Sequence, residues 1–185
     1  MRKLSHSQMI FIKVLAFVLG NRRRTVFLRK QNIFSGFGED CYYCSKKIPE
    51  EPYMVKFHNN VVIAANVNFI THDVMNDMLS RKNGSKPGEE LSEYYMGTIE
   101  IFDNVAIGSD VTILYNTKIG PNAVVAAGSV VTKDVPEGSI VGGNPARIIG
   151  TVENLIKKRQ CIKDAPIDTD SIDDIMKYYW NVKEN

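Results

Sequence analysis

The chain has little of what would mark several common classes of protein. Histidine is scarce: His6, His58 and His72 are the only three. A catalytic zinc needs several imidazole, thiolate or carboxylate ligands converging on one ion. No His-x4-His spacing exists, and His6 lies far from the patterned part of the chain. A zinc enzyme of the carbonic-anhydrase type is therefore discounted, and no metal is expected. Cysteine is equally scarce, and three residues cannot all pair within one chain. Cys41 and Cys44 form a lone C-x-x-C without a second ligand pair, which argues against a structural zinc site. They read as two small side chains in a strand rung, and a reducing compartment follows. Charge bias is nearly absent, with a net charge of +2; a nucleic-acid-binding protein would usually carry a basic stripe or patch. No apolar run is long enough to span a bilayer. The run at 9–19 (MIFIKVLAFVL) is broken by Lys13 and followed by Arg22, Arg23 and Arg24. No small-residue cleavage site follows, so it reads as a poor signal peptide.

What the chain has is a six-residue period. From 101 onward every sixth residue is Ile or Val: Ile101, Ile107, Ile113, Ile119, Val125, Val131. Two places before each stand Ile99, Val105, Val111, Thr117, Ala123 and Ser129, and Asp, Asn, Lys, Gly and Pro fill the positions between. A period of six is incompatible with the 3.6 of an α-helix. It fits short strands whose alternate residues point inward, each followed by a polar corner. Antiparallel hairpins would use loops of varying length with Asn-Gly or Asp-Gly turns. The stretch 99–134 has neither dipeptide and never slips. The spacing predicts a parallel β-helix in which each coil rests on the one before.

At 185 residues, one domain is the default. The same pairs recur at Val55/Phe57, Val61/Ile63 and Val67/Phe69, so 53–70 reads as a further coil, and 37–41 as a first corner. Two segments interrupt the period. One is 46–52, whose two prolines do not suit a paired strand. The other is 74–97, polar and aperiodic, beginning directly after Thr71-His72-Asp73. Long loops inside a compact domain are usually functional, and this one is expected to be an arm that helps form a substrate site. Beyond Asp134, residues 135–138 read as a turn, Ile140-Val141 as a last half rung, and 142–145 as the end of regular pairing. The apolar run at 9–19 reads as a helix in one of two roles. It covers the open end of the β-helix, whose edge would otherwise expose unpaired backbone. Alternatively it lies on a membrane surface, with Arg22, Arg23, Arg24, Arg29 and Lys30 near anionic headgroups. The covering role is the favoured one. Residues 152–159 read as a short helix, joined by a connector at 161–169 to a second. That second helix has Ser171 and Asp174 as a capping pair. Its single stripe of Ile172, Ile175, Met176, Tyr179 and Trp180 is expected to pack on the domain or on a neighbouring subunit. The organisation expected is a helical segment at 1–34, a mainly β domain at 35–150 with its loop at 74–97, and a helical extension at 151–185.

Ile107-Gly108, Ile119-Gly120, the run at 127–134 (AGSVVTKD) and Gly142-Gly143-Asn144-Pro145-Ala146-Arg147 resemble the hexapeptide-repeat acyltransferases. Within that family the chain is most similar to maltose-type sugar O-acetyltransferases and those of bacterial surface polysaccharide synthesis. The resemblance covers about 37–150. It implies a left-handed coil of three hexapeptides, although parallel crossovers generally favour the right hand. It also implies a cytoplasmic homotrimer with acetyl-coenzyme A in a groove between subunits, and a sugar or glycolipid-linked sugar as acceptor. The N-terminal helix would be the part in reach of a membrane. His72 matches the family's general base, which precedes the arm. Gly97, Ser109 and Ala127 match small corner residues along the pantetheine, Thr132 and Lys133 match contacts near the nucleotide, and Arg147 a further one. Some members hold the acceptor with an asparagine; Asn66 and Asn68 are the candidates here.

The chemistry suits these residue types. A sugar hydroxyl attacks a thioester only as its proton is removed, and an imidazole is matched to that task at neutral pH. The tetrahedral oxyanion needs positioned donors, most simply backbone N–H groups at a corner. The same imidazole can return the proton to the leaving thiolate. With both substrates bound together no acyl-enzyme is needed, and neither Cys41 nor Cys44 is assigned as a nucleophile. A cation at Lys133 or Arg147 would pair with phosphate. Asp73 follows His72 directly, but adjacent strand residues point to opposite faces, so it is not assigned to orient the ring. His58, before Asn59-Asn60 at a corner, reads as a solvated turn residue. Other readings stay open. One is N-acetylation of an amino sugar or a xenobiotic such as an antibiotic. Another is a non-catalytic β-helix scaffold, which would have no reason to keep His72 together with the coenzyme motif.

Overall fold

The computed structural model describes residues 5–86, 88–89, 91–92, 94–160 and 172–181. The chain divides into two compact units, Met1–Val152 and Glu153–Asn185.

The first unit is built on the six-residue period. Each hexapeptide gives a strand of two to four residues, and strands one coil apart pair in parallel. Three sheets result. One runs through Gly36–Phe37, Val55–Phe57, Ile99–Ile101 and Thr117–Ile119. The second runs through Tyr42–Tyr43, Val61–Ile63, Val105–Ile107, Val124–Val125 and Ser139–Gly142, and the third through Asn68–Ile70, Thr112–Leu114 and Val130–Val131. Ile99 pairs with Thr117 and Thr112 with Val130, one coil of 18 residues in each case. The inward residues are the predicted ones: Ile101, Ile107, Ile113, Ile119, Val125 and Val131 are all buried, as are Val55, Phe57, Val61, Ile63, Val67 and Phe69. Fully burying one such side chain contributes roughly 1.5–3 kcal/mol. The corners explain the polar letters. Asn60, Asn66, Asn104, Asp110, Asn116 and Asn122 hold φ between 52° and 59°. In that left-handed region Asn and Asp are tolerated best after glycine.

Two helices close the first coil. α1 (His6–Val18) starts with a capping box between Ser5 and Gln8, and α2 (Asn21–Gln31) follows. Ile12, Ala16 and Leu28 are buried in the core with Ile33 and Phe34. Thr25 Oγ1 accepts from the Tyr43 amide at 2.9 Å, which satisfies part of the free edge of the first rung. The N-terminal segment thus contributes two helices where one was expected. Arg24 does not face outward as its place in the basic cluster suggested. It is 1% exposed, and its guanidinium donates to the carbonyls of Ala16, Leu19 and Cys44 and to Asn21 Oδ1. A buried cation persists when its donors are met; here Arg24 ties the end of α1 to the rung beneath.

The segment 74–97 is less irregular than its composition suggests. The register jumps by 44 residues between Val55 and Ile99 against 18 for an uninterrupted coil, so 26 residues are inserted. The insertion leaves and returns through an antiparallel pair, His72–Asp73 with Tyr95–Met96, and carries α3 (Met75–Lys82). Eight residues make about two helical turns, too few for a periodic signal. Regular pairing also continues past 145. Arg147–Thr151 turns back antiparallel on Ser139–Gly142.

The outer face of the first sheet corrects the reading of His58. Its Nε2 lies 2.9 Å from Glu100 Oε1, and its ring stacks on Phe102 at 4.9 Å. Lys56, the cross-strand partner of Glu100, is 3.2 Å from the same oxygen. His58 first, then Lys56, hold the Glu100 carboxyl below its ordinary value of 4.5. A lowered folded value means stability that is present above pH 4.5 and lost as pH falls through the lower value. Glu100→Gln should therefore cost at most about 1 kcal/mol at pH 7, as for a surface pair. The variant should also show a shallower loss of stability below pH 4.5, measured by urea unfolding across pH.

The second unit holds α5 (Ile172–Asn181) and all but the first residue of α4 (Val152–Gln160). The predicted Ser171 cap and the 161–169 connector lie outside the described residues. The stripe of Ile172, Ile175, Met176, Tyr179 and Trp180 is exposed.

Candidate active site

His72 sits where the third sheet ends and the insertion begins. Its backbone is pinned on both sides. The Gly97 amide donates to the Thr71 carbonyl at 2.9 Å, and His72 pairs with Met96 across the base of the insertion. Its Nδ1 lies 2.8 Å from Glu51 Oε2, and the Thr71 hydroxyl donates to that same oxygen at 2.5 Å. Glu51 comes from the break in the period at 46–52, just before a 3-10 turn at Pro52–Met54. A carboxylate on Nδ1 makes that nitrogen the donor, which leaves Nε2 with its lone pair. His72 is 28% and Glu51 18% exposed at the side chain, so the ring is reachable while its partner is partly shielded. The Tyr94 ring stands edge-on to the imidazole at 5.3 Å.

Asp73 points elsewhere, as strand alternation requires. It accepts from the Tyr115 hydroxyl and, at 3.0 Å, from the Met75 amide that opens α3. This hydrogen bond pushes the Tyr115 hydroxyl up from its ordinary value. Asp73 therefore anchors the insertion and does not touch the ring. Cys41 Sγ donates to the His58 carbonyl at 3.0 Å, and burial pushes its thiol up. A thiol held protonated is a poor nucleophile.

The remaining sequence candidates fall into three places. Ser109 and Ala127 stack on the corner that opens the third sheet. The Gly128 amide donates to the Ser109 carbonyl at 2.8 Å, and a Cβ on Gly108 would lie 2.5 Å from the Ala127 nitrogen. Gly97 stands at the opposite edge of that sheet, beside His72. A Cβ there would lie 2.2 Å from Asn116 Oδ1, so the corner itself already requires glycine. Thr132, Lys133 and Arg147 come together with Ala146 and Ile148 around a cleft of about 330 Å³. Among the described residues neither Lys133 nor Arg147 forms a salt bridge. Asp134 lines the same cleft, its carboxylate accepting from the Lys118 amide at 2.7 Å, and two cations without an ion partner beside it suit an anion. Asn66 takes the left-handed corner position on the edge away from His72, and Asn68 opens onto a separate cleft of about 500 Å³ beside Phe17 and Lys46. The histidine and the Ser109–Ala127 corner are separated by the width of one face, six residues of extended backbone or up to about 20 Å.

Glu51 is the residue that sequence reading missed. It lies 21 positions before His72 in a stretch without period, and only the break itself marked the place.

Comparison with known proteins bears on this geometry. Residues 98–133 match the family described as bacterial transferase hexapeptide (six repeats). The chain is 36% identical to the galactoside O-acetyltransferase of Escherichia coli K12 over 121 residues, 64% of this chain and 54% of that protein. It is similar in structure to a maltose O-acetyltransferase from Clostridium difficile 630, with 26% identity, a TM-score of 0.59 and coverage of 78% and 84%. A hexapeptide-repeat acetyltransferase from Vibrio cholerae O1 biovar eltor, solved with acetyl-coenzyme A, gives 26% identity, a TM-score of 0.57 and coverage of 79% and 86%. The chain spans about half the length of the curated relatives it matches. In its six repeats and its stacked parallel coils, the chain is similar to the hexapeptide-repeat acetyltransferases among these neighbours.

Proposed function

We propose that the protein is an acetyl-coenzyme A-dependent O-acetyltransferase acting on a sugar hydroxyl, in the building of a cell-surface polysaccharide. The observation that carries this reading is the His72–Glu51 pair at 2.8 Å, held beside an insertion that the coil itself does not need. In the proposed step, His72 Nε2 takes the proton of the acceptor hydroxyl as its oxygen attacks the thioester carbonyl. The new C–O bond forms, the oxyanion collapses, the C–S bond breaks, and the imidazolium returns its proton to the thiolate. Glu51 stabilises the imidazolium in between. The raised Cys41 thiol supports direct transfer over an acyl-enzyme. Lys133, Arg147 and Thr132 would receive the phosphates of the coenzyme, and Ser109 and Ala127 its pantetheine.

His72 and the Ser109–Ala127 corner belong to opposite edges of one face, whereas Lys133 stacks two coils above Thr71 on the histidine's own edge, so a single chain does not bring the pantetheine corner to the ring. The reading therefore includes a homotrimer in which one subunit's corner meets its neighbour's histidine. The arm supports this: Val74, Met75, Met78, Tyr94 and Tyr95 are all exposed, an apolar surface suited to a neighbouring copy. The test is thiol release from acetyl-coenzyme A against a panel of sugars and amino sugars, run with light scattering. Release that depends on a sugar hydroxyl, from a particle three times the mass of one chain, is expected. Release with amino sugars alone would favour N-acetylation, and a monomer would refute the shared groove.

A further inference from the structure

The end cap has a second apolar surface that the fold leaves uncovered. Ile12 and Ala16 of α1 face the core, but Ile10, Phe11, Val14, Phe17 and Val18 are exposed, Phe11 at 66% and Val18 at 70%. Val26 of α2 adds to them. A helix that is apolar on all sides is normally buried on all sides. Basic residues ring the exposed face. Lys13, Lys46 and Lys47 line one cleft with Val14, Phe17 and Val18, where Glu50 pairs with Lys13 at 2.8 Å and leaves Lys46 and Lys47 as its surplus charge, and Arg22, Arg23 and Lys30 line another with Leu15, Leu19 and Val26. The Lys46 ammonium lies over the Phe17 ring at 4.5 Å. The segment's own charge is one-sided: the first 38 residues hold eight of the 23 Lys and Arg residues and none of the 21 Asp and Glu residues, and carboxylates from outside it pair only Lys13 and Arg29 among the described residues.

We propose that this cap face docks the protein on an anionic lipid bilayer. The apolar side chains enter the boundary between headgroups and acyl chains, and the Lys and Arg heads reach lipid phosphates beside them. Among the described residues no helix is long and apolar enough to cross a membrane, so the contact is with the surface. One helix thus serves both roles weighed from the sequence, its inner stripe closing the coil and its outer stripe meeting lipid. A second copy fits the face poorly, because a twofold contact is self-complementary and would bring Arg22, Arg23 and Lys30 against like charges. Arg24 takes no part, being buried in the cap.

Co-sedimentation of the full chain with vesicles tests this. The protein should pellet with an equal mixture of phosphatidylcholine and phosphatidylglycerol and stay in solution with phosphatidylcholine alone. Raising salt from about 0.1 M to about 1 M should release it. Arg22→Glu/Arg23→Glu, and separately Phe11→Ser/Phe17→Ser, should each lower partitioning at least roughly tenfold, with circular dichroism unchanged. Equal binding to both vesicle types, or no loss in either folded variant, would overturn the proposal. So would self-association abolished by Phe11→Ser/Phe17→Ser without any vesicle binding, which would give the face to a second copy.

Discussion

Replacing His72 with alanine should leave the coil folded and lower turnover by roughly 10²–10⁴-fold, the usual contribution of a general base. The fold should survive because His72 is half-buried at the foot of the insertion and supplies none of the Ile and Val side chains that fill the coil. Coenzyme binding should survive too, since Thr132, Lys133 and Arg147 lie on their own cleft. The effect should therefore fall on kcat, with the KM for acetyl-coenzyme A little changed. That split is what loss of an interaction made in the transition state looks like. Steady-state thiol release, with isothermal titration of coenzyme A as the binding control, measures both halves. Unchanged turnover in the folded variant would remove His72 from the reaction.

Glu51→Gln should lower kcat by roughly 10- to 1000-fold. Glutamine keeps the shape of the side chain, and the Thr71 hydroxyl can still donate to its carbonyl. What is lost is the negative charge beside Nδ1. A neutral amide oxygen in that place still accepts from Nδ1 but no longer stabilises the imidazolium that forms as the hydroxyl is deprotonated. The effect should be smaller than for a fully buried carboxylate, because Glu51 keeps 18% of its side chain in solvent. A merely structural role would show as a lower unfolding midpoint with kcat intact. A positioning role shows as kcat lost, the midpoint kept, and Glu51→Asp recovering part of the rate.

The parts of this protein that were legible in its sequence are those that repeat. Ile101 through Val131 recur every six residues because each coil must place one apolar side chain per face at the same height. The Asn and Asp residues recur with them because each corner needs a left-handed backbone. The coil and its inward residues follow from that pattern without reference to any relative. What does not repeat was harder to see. Glu51 is joined to His72 only through the fold, across a stretch whose prolines break the period. Arg24 sits among arginines that face water, and nothing in Arg22-Arg23-Arg24 marks which one turns inward. The turn reached by α2 decides it, setting that guanidinium against the last carbonyls of α1. His58 looked like a solvated corner residue because its partner, Glu100, lies 42 residues away across the insertion. The insertion's own helix was missed because Met75, Met78 and Leu79, though correctly spaced, span barely more than one turn.

One measurement bears most directly on the claim that this coil presents a single histidine to a bound acyl carrier. A crystal structure with coenzyme A should place the thiol within roughly 4 Å of a His72 Nε2, the reach of a proton transfer. The pantetheine should lie along Ser109 and Ala127 of the adjoining subunit and the phosphates near Lys133 and Arg147. A thiol held away from every copy of His72 in the assembly would contradict the account.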